Sequence, residues 1–531
     1  MAGIEVVASY ERWEPANETN WRNGHHPAFT ADIRSLKAAE LPKNIDIVVG
    51  SPPCTQFSYS NRGGRGDIDD GLTDIAKFFE IVSAVRPIAW AMENVPRTEN
   101  IIRQQFEPGG RLHQYRDLRP NFYMAHMEEF GLPQRRKRCI VTNVDLALLD
   151  SYKRLCRPIN LGQVITALAS DPVVDPIYGL ELPRRDLTDH QIEDVLDPEE
   201  ERINHAAKQL HPVYNRMAFP DPMDRSVRTV TATCTRVSRE SVVISAPETR
   251  GKYRRLSIRE RACLQGFPIN FQFFGTSYGQ RLKMVGNALP PLFSYYVANA
   301  MKGMSADEVR RPSDAIGAFK GTEARPAIRK PDRPAKTYRA DRRFKFAIPS
   351  LRLGSGVRFE LHNAVAGVVG RWGVDFVFGD PKNIQTLLLD QTLLQRAMAG
   401  LVGGAAADMG RIKAAILRYL HGVDVENLQQ VWSHRGPGRT RPFMMLDAID
   451  DFGDEARTVL SREPSACRQI VAACIASQAA RFSKPVVGFD RLNREAPIVL
   501  AGIIVGAAAN SCLLKAVGLT DSLSGAAVSQ S

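Results

Sequence analysis

The sequence predicts an α/β protein: a doubly wound, mostly parallel sheet, a small separate lobe, and an extra mixed α/β C-terminal domain. Three observations predict it. Over residues 1 to about 145, short and nearly all-apolar runs alternate with helix-like segments, the pattern of strands buried on both faces. A polar, proline-rich stretch from about 150 to 250 lacks that rhythm. Beyond a basic linker, a new patterned region begins at about 346.

The elements run in chain order. Val6–Ala8, Ile45–Gly50, Ile88–Met92 and Cys139–Thr142 read as buried strands. Thr73–Val85 places Ile75, Phe78, Phe79 and Val82 at helical spacing. Between 256 and 303, "RLSIRERACLQGF" and "ALPPLFSYYVANAM" read as helices. From Lys320 to Lys345 there are ten Lys/Arg against three acids, with Pro326, Pro331 and Pro334, which predicts a linker. The last region opens β-like in "GVRFELHNAV" and "WGVDFVFG" and continues with helices over Ile384–Ala399 and Gly410–His421. This gives domains at 1–304, with the lobe at about 146–225, a linker at 305–345, and a C-terminal domain at 346–531.

Composition narrows the function classes. A net charge of +12 and a pI near 9.3 favour a polyanionic partner such as nucleic acid. The eight cysteines form no CxxC pair, which argues against structural zinc or a disulfide framework and for a cytoplasmic location. "MAGIEVVASYERWEP" has neither the basic flank nor the apolar core of a signal peptide. Ile498–Leu514 is apolar but short for a membrane span and interrupted by Asn510 and Ser511, so a buried helix is expected and no membrane partner.

Three motifs carry chemistry. In "GSPPCTQFS", Pro52 and Pro53 stiffen the loop after a strand and place Cys54 at its mouth. Cys54 is either a buried filler or a nucleophile held in one place. In "AMENVP", Glu93 ends an apolar strand, as a cap of the next helix or as a carboxyl that exchanges a proton in a pocket. In "GLPQRRKRCIV", Arg136 and Arg138 alternate into a strand and would point the same way if the strand begins there, as a fork for a phosphate or a base edge. Ligands of such sheets sit beyond the carboxyl ends of the strands, which puts Cys54 and Glu93 in one crevice.

These residues suit addition of a thiolate to C6 of a cytosine, an acid at N3, and methylation at C5 of a base taken out of the duplex. The chain resembles the DNA (cytosine-5-)-methyltransferases of bacterial or phage type. "GSPPCTQFS", "ENVP", "GLPQRRKR", "RSVRTVTAT", "RERACLQGFP" and "VGNALPPLFSYYVANAM" occur in family order, within residues 3 to 303. The resemblance implies a class I, Rossmann-like methyltransferase fold and S-adenosylmethionine as methyl donor. It implies double-stranded DNA as partner, a monomer, and a cognate restriction endonuclease. Cys54 falls on the nucleophile and Glu93 on the acid that contacts the cytosine edge. Arg136 and Arg138 fall on target-base and active-site-loop contacts, with Gln134 opening their pattern. Thr55 to about Leu72, with Gly63, Gly64 and Gly66, falls on the loop that closes over DNA. Glu11 falls on the ribose acceptor, Asp32 and Ile33 on the adenine-holding pair, and Pro53 and Asn287 on other cofactor contacts. The lobe falls on the region that reads the DNA sequence, with Arg184, Arg185 and Lys208 as phosphate-contact candidates. A transfer-RNA cytosine methyltransferase and an inactive DNA-binding relative are the alternatives.

One family feature has no counterpart. The opening strand and glycine-rich turn of the type Phe-x-Gly-x-Gly are absent, because the sequence at Gly3-Ile4 already matches the segment beyond that turn and its helix. The expectations are weak donor binding by residues 1–531 and a natural start upstream of Met1.

Overall fold

The computed structural model describes residues 1–24, 26–57, 66–209, 216–319, 321–331, 333, 337–353, 357–380, 383–482 and 489–514. They form two compact units, Met1–Asn204 with Ala218–Pro334, and His205–Met217 with Ala335–Ser531.

The first unit opens with β1 (Ser9–Glu11), α1 (Glu14–Gly24) and β2 (Ala28–Thr30). It continues through β3 (Ile47–Gly50), α2 (Ile68–Val85), β4 (Ala89–Asn94), α3 (Thr98–Phe106), β5 (Asn121–His126), β6 (Gln134–Arg135) and β7 (Lys137–Thr142). β1 and β2 make a parallel two-stranded ladder. The main sheet has the order β3-β4-β7-β5, with β3 parallel to β4 and β7 antiparallel to both neighbours. An antiparallel partner needs only a short connection, and β5 is followed after a single 3-10 turn by the strand that returns beside it. The first strand lies at Ser9–Glu11 rather than at the expected Val6–Ala8, because Val6 and Val7 are solvent-exposed.

The sheet separates two cores. Ala89, Ala91 and Ile140 pack with α4 (Leu146–Tyr152) and α9 (Pro291–Met301) on one face. Trp90, Met92 and Val141 pack with Phe78, Phe79, Val82 and Ile102 of α2 and α3 on the other. This alternation along β4 is what a strand covered on both faces requires.

A second core lies in the same unit. It is built by α5 (Leu161–Ala169), the hairpin β8 (Val173–Val174) and β9 (Glu181–Leu182), and β10 (Val227–Arg228), β11 (Val243–Ser245) and β12 (Tyr253–Arg255). α7 (Ile258–Leu264) and α8 (Tyr278–Asn287) complete it, while α6 (Pro198–Gln209) spans the division between the units. The lobe expected at 146–225 is therefore not self-contained: α4 packs on the sheet, and α5 shares its core with α7 and α8. The expected linker also shifts. Ala306, Val309, Ala315 and Ile316, the last two in and just after α10 (Pro312–Ala315), are buried in the sheet's core. Arg325 pairs with Asp186, and Arg281 donates to the Ala327 carbonyl.

In the second unit, β13 (Lys345–Arg352), β14 (Arg358–His362), β15 (Gly373–Asp380) and β16 (Asn383–Leu387) form an antiparallel sheet in chain order. Helices come next: α11 (Gln391–Ala399), α12 (Gly403–His421), α13 (Leu428–Trp432), α14 (Pro442–Leu460), α15 (Pro464–Ala476), α16 (Phe489–Arg494) and α17 (Ala496–Leu513). The helix expected over Ile384–Ala399 is two elements, a strand and then α11, capped by the Asp390 carboxylate. α17 is apolar enough to cross a membrane by length and composition, yet it is buried. Its Asn510 amide bonds the Val374 backbone on both sides and the Leu389 carbonyl.

Candidate active site

β3 runs directly into Ser51-Pro52-Pro53-Cys54. Pro52 is buried, and its carbonyl accepts from the Asn94 amide at 3.1 Å, tying the loop to the end of β4. On the far side of the thiol, the Phe57 amide donates to the Cys54 carbonyl, and the Phe57 ring is fully buried against α2. Cys54 is thus pinned between two anchors and is half-buried.

The β3–β4 register pairs Gly50 with Met92, so Glu93 stands one residue past the end of β3, beside the cysteine loop. Its carboxylate is buried, with 7% of the residue exposed. One oxygen takes Arg138 Nε at 2.7 Å, and the other accepts from the Ser51 hydroxyl. A buried carboxylate held by a guanidinium and a hydroxyl stays ionised and oriented. Burial pushes the Cys54 thiol up, and the nearby Glu93 charge adds to that, while Arg138 and Arg136 oppose it. The resting group is a protonated thiol.

Arg136 is placed differently from its expectation. The strand is broken at this residue, between β6 and β7, so the assumed alternation with Arg138 does not hold. Its guanidinium is 1% exposed and donates to the carbonyls of Val230, Gly286 and Ala288 at 3.0–3.2 Å. Burial, then Arg138, push its pKa down to about 9, which leaves it a cation at neutral pH. The two arginines do not form one fork: Arg138 holds Glu93, and Arg136 clamps the backbone on either side of Asn287. Gln134 is likewise buried and joins Val230 N, the Leu264 carbonyl and Gln265.

The expected cofactor residues lie at the ends of their elements. Glu11 ends β1 with its side chain exposed and accepts from the Trp13 amide. Asp32 follows β2, caps the turn that starts at Ile33, and lies 3.8 Å from Arg12. Asn287, the last residue of α8, is exposed, as is Pro53. Of the expected mobile loop, Gly63 and Gly64 lie outside the described residues, and Ile68–Leu72 is already the first turn of α2. Gly66 lies where a Cβ would collide with the Gln56 carbonyl. Arg184 and Arg185 are exposed, as a phosphate contact requires, whereas Lys208 is buried, so its side chain does not offer one.

A model of the C-5 cytosine-specific DNA methylases matches residues 1–303, more than half of the chain. The chain belongs to this family. Type II methyltransferase M.FnuDI of Fusobacterium nucleatum is 26% identical to it over 329 residues, covering 58% of this chain and 90% of that protein. Type II methyltransferase M.HgiDI of Herpetosiphon aurantiacus is 28% identical, covering 57% and 88%. Type II methyltransferase M.HindV of Haemophilus influenzae is 27% identical, covering 58% and 93%. The solved S. pombe Dnmt2 methyltransferase aligns at a TM-score of 0.39 and 15% identity, over 57% of this chain and 92% of that one.

As a cytosine-5 DNA methylase, the protein uses DNA as substrate and S-adenosylmethionine as methyl donor. The described residues fit the nucleoside half of that donor. Glu11 and Asp32 are acids at the ends of two paired parallel strands, where ribose hydroxyls and an adenine amine would find acceptors. Two contributors to the methylase site are hidden in the sequence. Ser51 looks like a turn residue, and only the register of β3 on β4 brings its hydroxyl to Glu93. Asn94 reads as a helix start, yet its amide holds the Pro52 carbonyl.

Proposed function

We propose that this protein methylates C5 of cytosine in a specific duplex DNA sequence through a covalent bond between Cys54 and C6 of the base. The observation that carries this reading is the convergence of Cys54, Glu93 and Arg138 from the ends of β3, β4 and β7. Attack at C6 pushes electron density toward C5 and N3. Glu93, oriented by Ser51 and Arg138, faces the N3 edge and holds the proton that stabilises that density. S-adenosylmethionine, when bound, supplies the methyl group that C5 takes up. Loss of the C5 proton to solvent then expels Cys54 as thiolate and restores the aromatic base. The base must first leave the stack, because C6 is not reachable inside it.

Glu11, Asp32, Ile33, Pro53 and Asn287 hold the donor in this reading. Arg136 serves by fixing the Gly286–Ala288 backbone around Asn287. The protein acts as a cytoplasmic monomer on DNA, as the modification partner of a restriction endonuclease. The test is incubation with labelled donor and either duplex DNA or transfer RNA. Label at C5 of DNA cytosine supports the reading; label in transfer RNA alone rejects it.

A further inference from the structure

Four observations in the first unit concern one place in its sheet. β4 is paired on both sides and all six of its residues are buried, whereas among the described residues β3 is paired only with β4. Val49, in the middle of β3, is 67% exposed, and Ile88, just before β4, is 77% exposed. Ile47 packs with Ala89 and Ala91, so by strand alternation Val49 points to that same face, where no described residue covers it. Of twelve large apolar residues exposed among the described residues, seven fall at or before Ile88: Ile4, Val6, Val7, Trp21, Phe29, Val49 and Ile88.

The ladders are also unusual. β1 and β2 form a parallel pair only three residues long, with Phe29 half exposed. Parallel strands are normally covered on both faces, and a lone pair of strands is marginal in water. The strand orders are β2-β1 and β3-β4-β7-β5. Both ladders are wound outward from their first strand. A single parallel strand between β1 and β3 would join them into one sheet, with the reversal of winding at the added strand. Such a reversal point is where an α/β sheet opens a ligand crevice at its carboxyl ends, and those ends here carry Glu11 and Cys54.

We propose that the β3 edge is a docking site for a β–turn–α segment of a second polypeptide, which completes the sheet between β3 and β1. Its chemistry is set by the place it fills. The strand is apolar and about four residues long, the length of β3, and bonds to the free edge of that strand. A glycine-rich turn comes after it, because side chains there would fill the crevice shared by Glu11 and Cys54. A helix comes next, since a strand parallel to its neighbour returns through a crossover and Val49 needs an apolar cover. The proposal rests on the sheet, and on the catalytic reading only for its effect on donor binding.

The test uses the full chain and a synthetic peptide with an apolar strand, a Gly-x-Gly turn and an amphipathic helix. Amide hydrogen exchange is followed at Tyr10–Glu11 and Val48–Gly50. The expected result is saturable one-to-one binding, with exchange slowed at least tenfold at both edges by the peptide and not by its scrambled version. Val49→Asp, on an exposed position, should weaken peptide binding at least tenfold with an unchanged circular dichroism spectrum. Absence of protection, or protection at one edge alone, overturns the proposal. So does protection that arises without peptide, through self-association seen in sedimentation. Protection at both edges without methyl transfer upholds the docking site and counts against the catalytic reading instead.

Discussion

At the residue scale the thiol is the sensitive probe. Burial and the Glu93 charge raise the Cys54 pKa, and Arg138 lowers it. Alkylation proceeds through the thiolate, so its rate should be slow at neutral pH and climb above the usual thiol range. Glu93→Gln removes a charge that raises the pKa, so alkylation at pH 8 should speed up. Arg138→Met removes a charge that lowers it, so alkylation should slow down. A rate unchanged by both variants, followed by mass spectrometry of the Cys54 peptide, would contradict this electrostatic picture. Cys54 and Glu93 are legible in the sequence because each ends an apolar run that could only be a strand. Arg136 is not, because the break between β6 and β7 depends on backbone contacts with Val230, Gly286 and Ala288, far away in the chain.

At the element scale, the segments around α7 are held by buried ion pairs. Arg255 and Tyr278 both bond to Glu193, Arg254 bonds to Glu260, and Arg281 pairs with Asp189. Removing one partner of a buried pair leaves the other uncompensated, which costs about 3–5 kcal/mol. Glu193→Ala should lower the unfolding free energy by that amount, measured by urea titration; a loss below about 1 kcal/mol would mean that Arg255 finds water. α8 meets the chain at Thr231–Ala232 so closely that a Cβ on Gly286 would strike that backbone. Gly286→Ala should therefore move Asn287 and weaken donor binding more than it lowers the melting temperature. "RRLSIRER" reads as a surface helix, and its arginines are buried because acids from 189 to 260 reach them, a pairing that periodicity does not show. β16 reads as helix because a short apolar run fits both periods, and its pairing with β15 decides it.

At the scale of the whole molecule, the net charge of +12 overstates the surface field, since Arg136, Arg236, Arg254, Arg255, Arg259, Arg261, Arg281 and Arg358 are all buried. The division into units at Pro334 also matters for any truncation. A chain cut after residue 304 loses Ala306, Val309, Ala315 and Ile316 from the sheet's core, whereas one cut after Pro334 keeps them. The longer piece should melt cooperatively and the shorter one should melt at least several degrees lower or aggregate. Equal melting temperatures in calorimetry would show that this segment adds nothing to the core. The α/β class and the order of the motifs are legible in the sequence because they are set by local pattern. The division of the sheet between β1 and β3 is not, because a missing strand leaves no local trace in the residues around it.

The claim that Cys54 attacks C6 of cytosine is tested most directly without the methyl donor. Addition of the thiolate makes C5 basic enough to take a solvent proton, and its reversal releases the hydrogen that C5 carried. Duplex DNA with tritium at cytosine C5 should lose label to water when incubated with the protein, and Cys54→Ser, with its fold unchanged by circular dichroism, should release none. Release by Cys54→Ser at the rate of the unaltered protein, or no release by either, would contradict covalent attack by this residue.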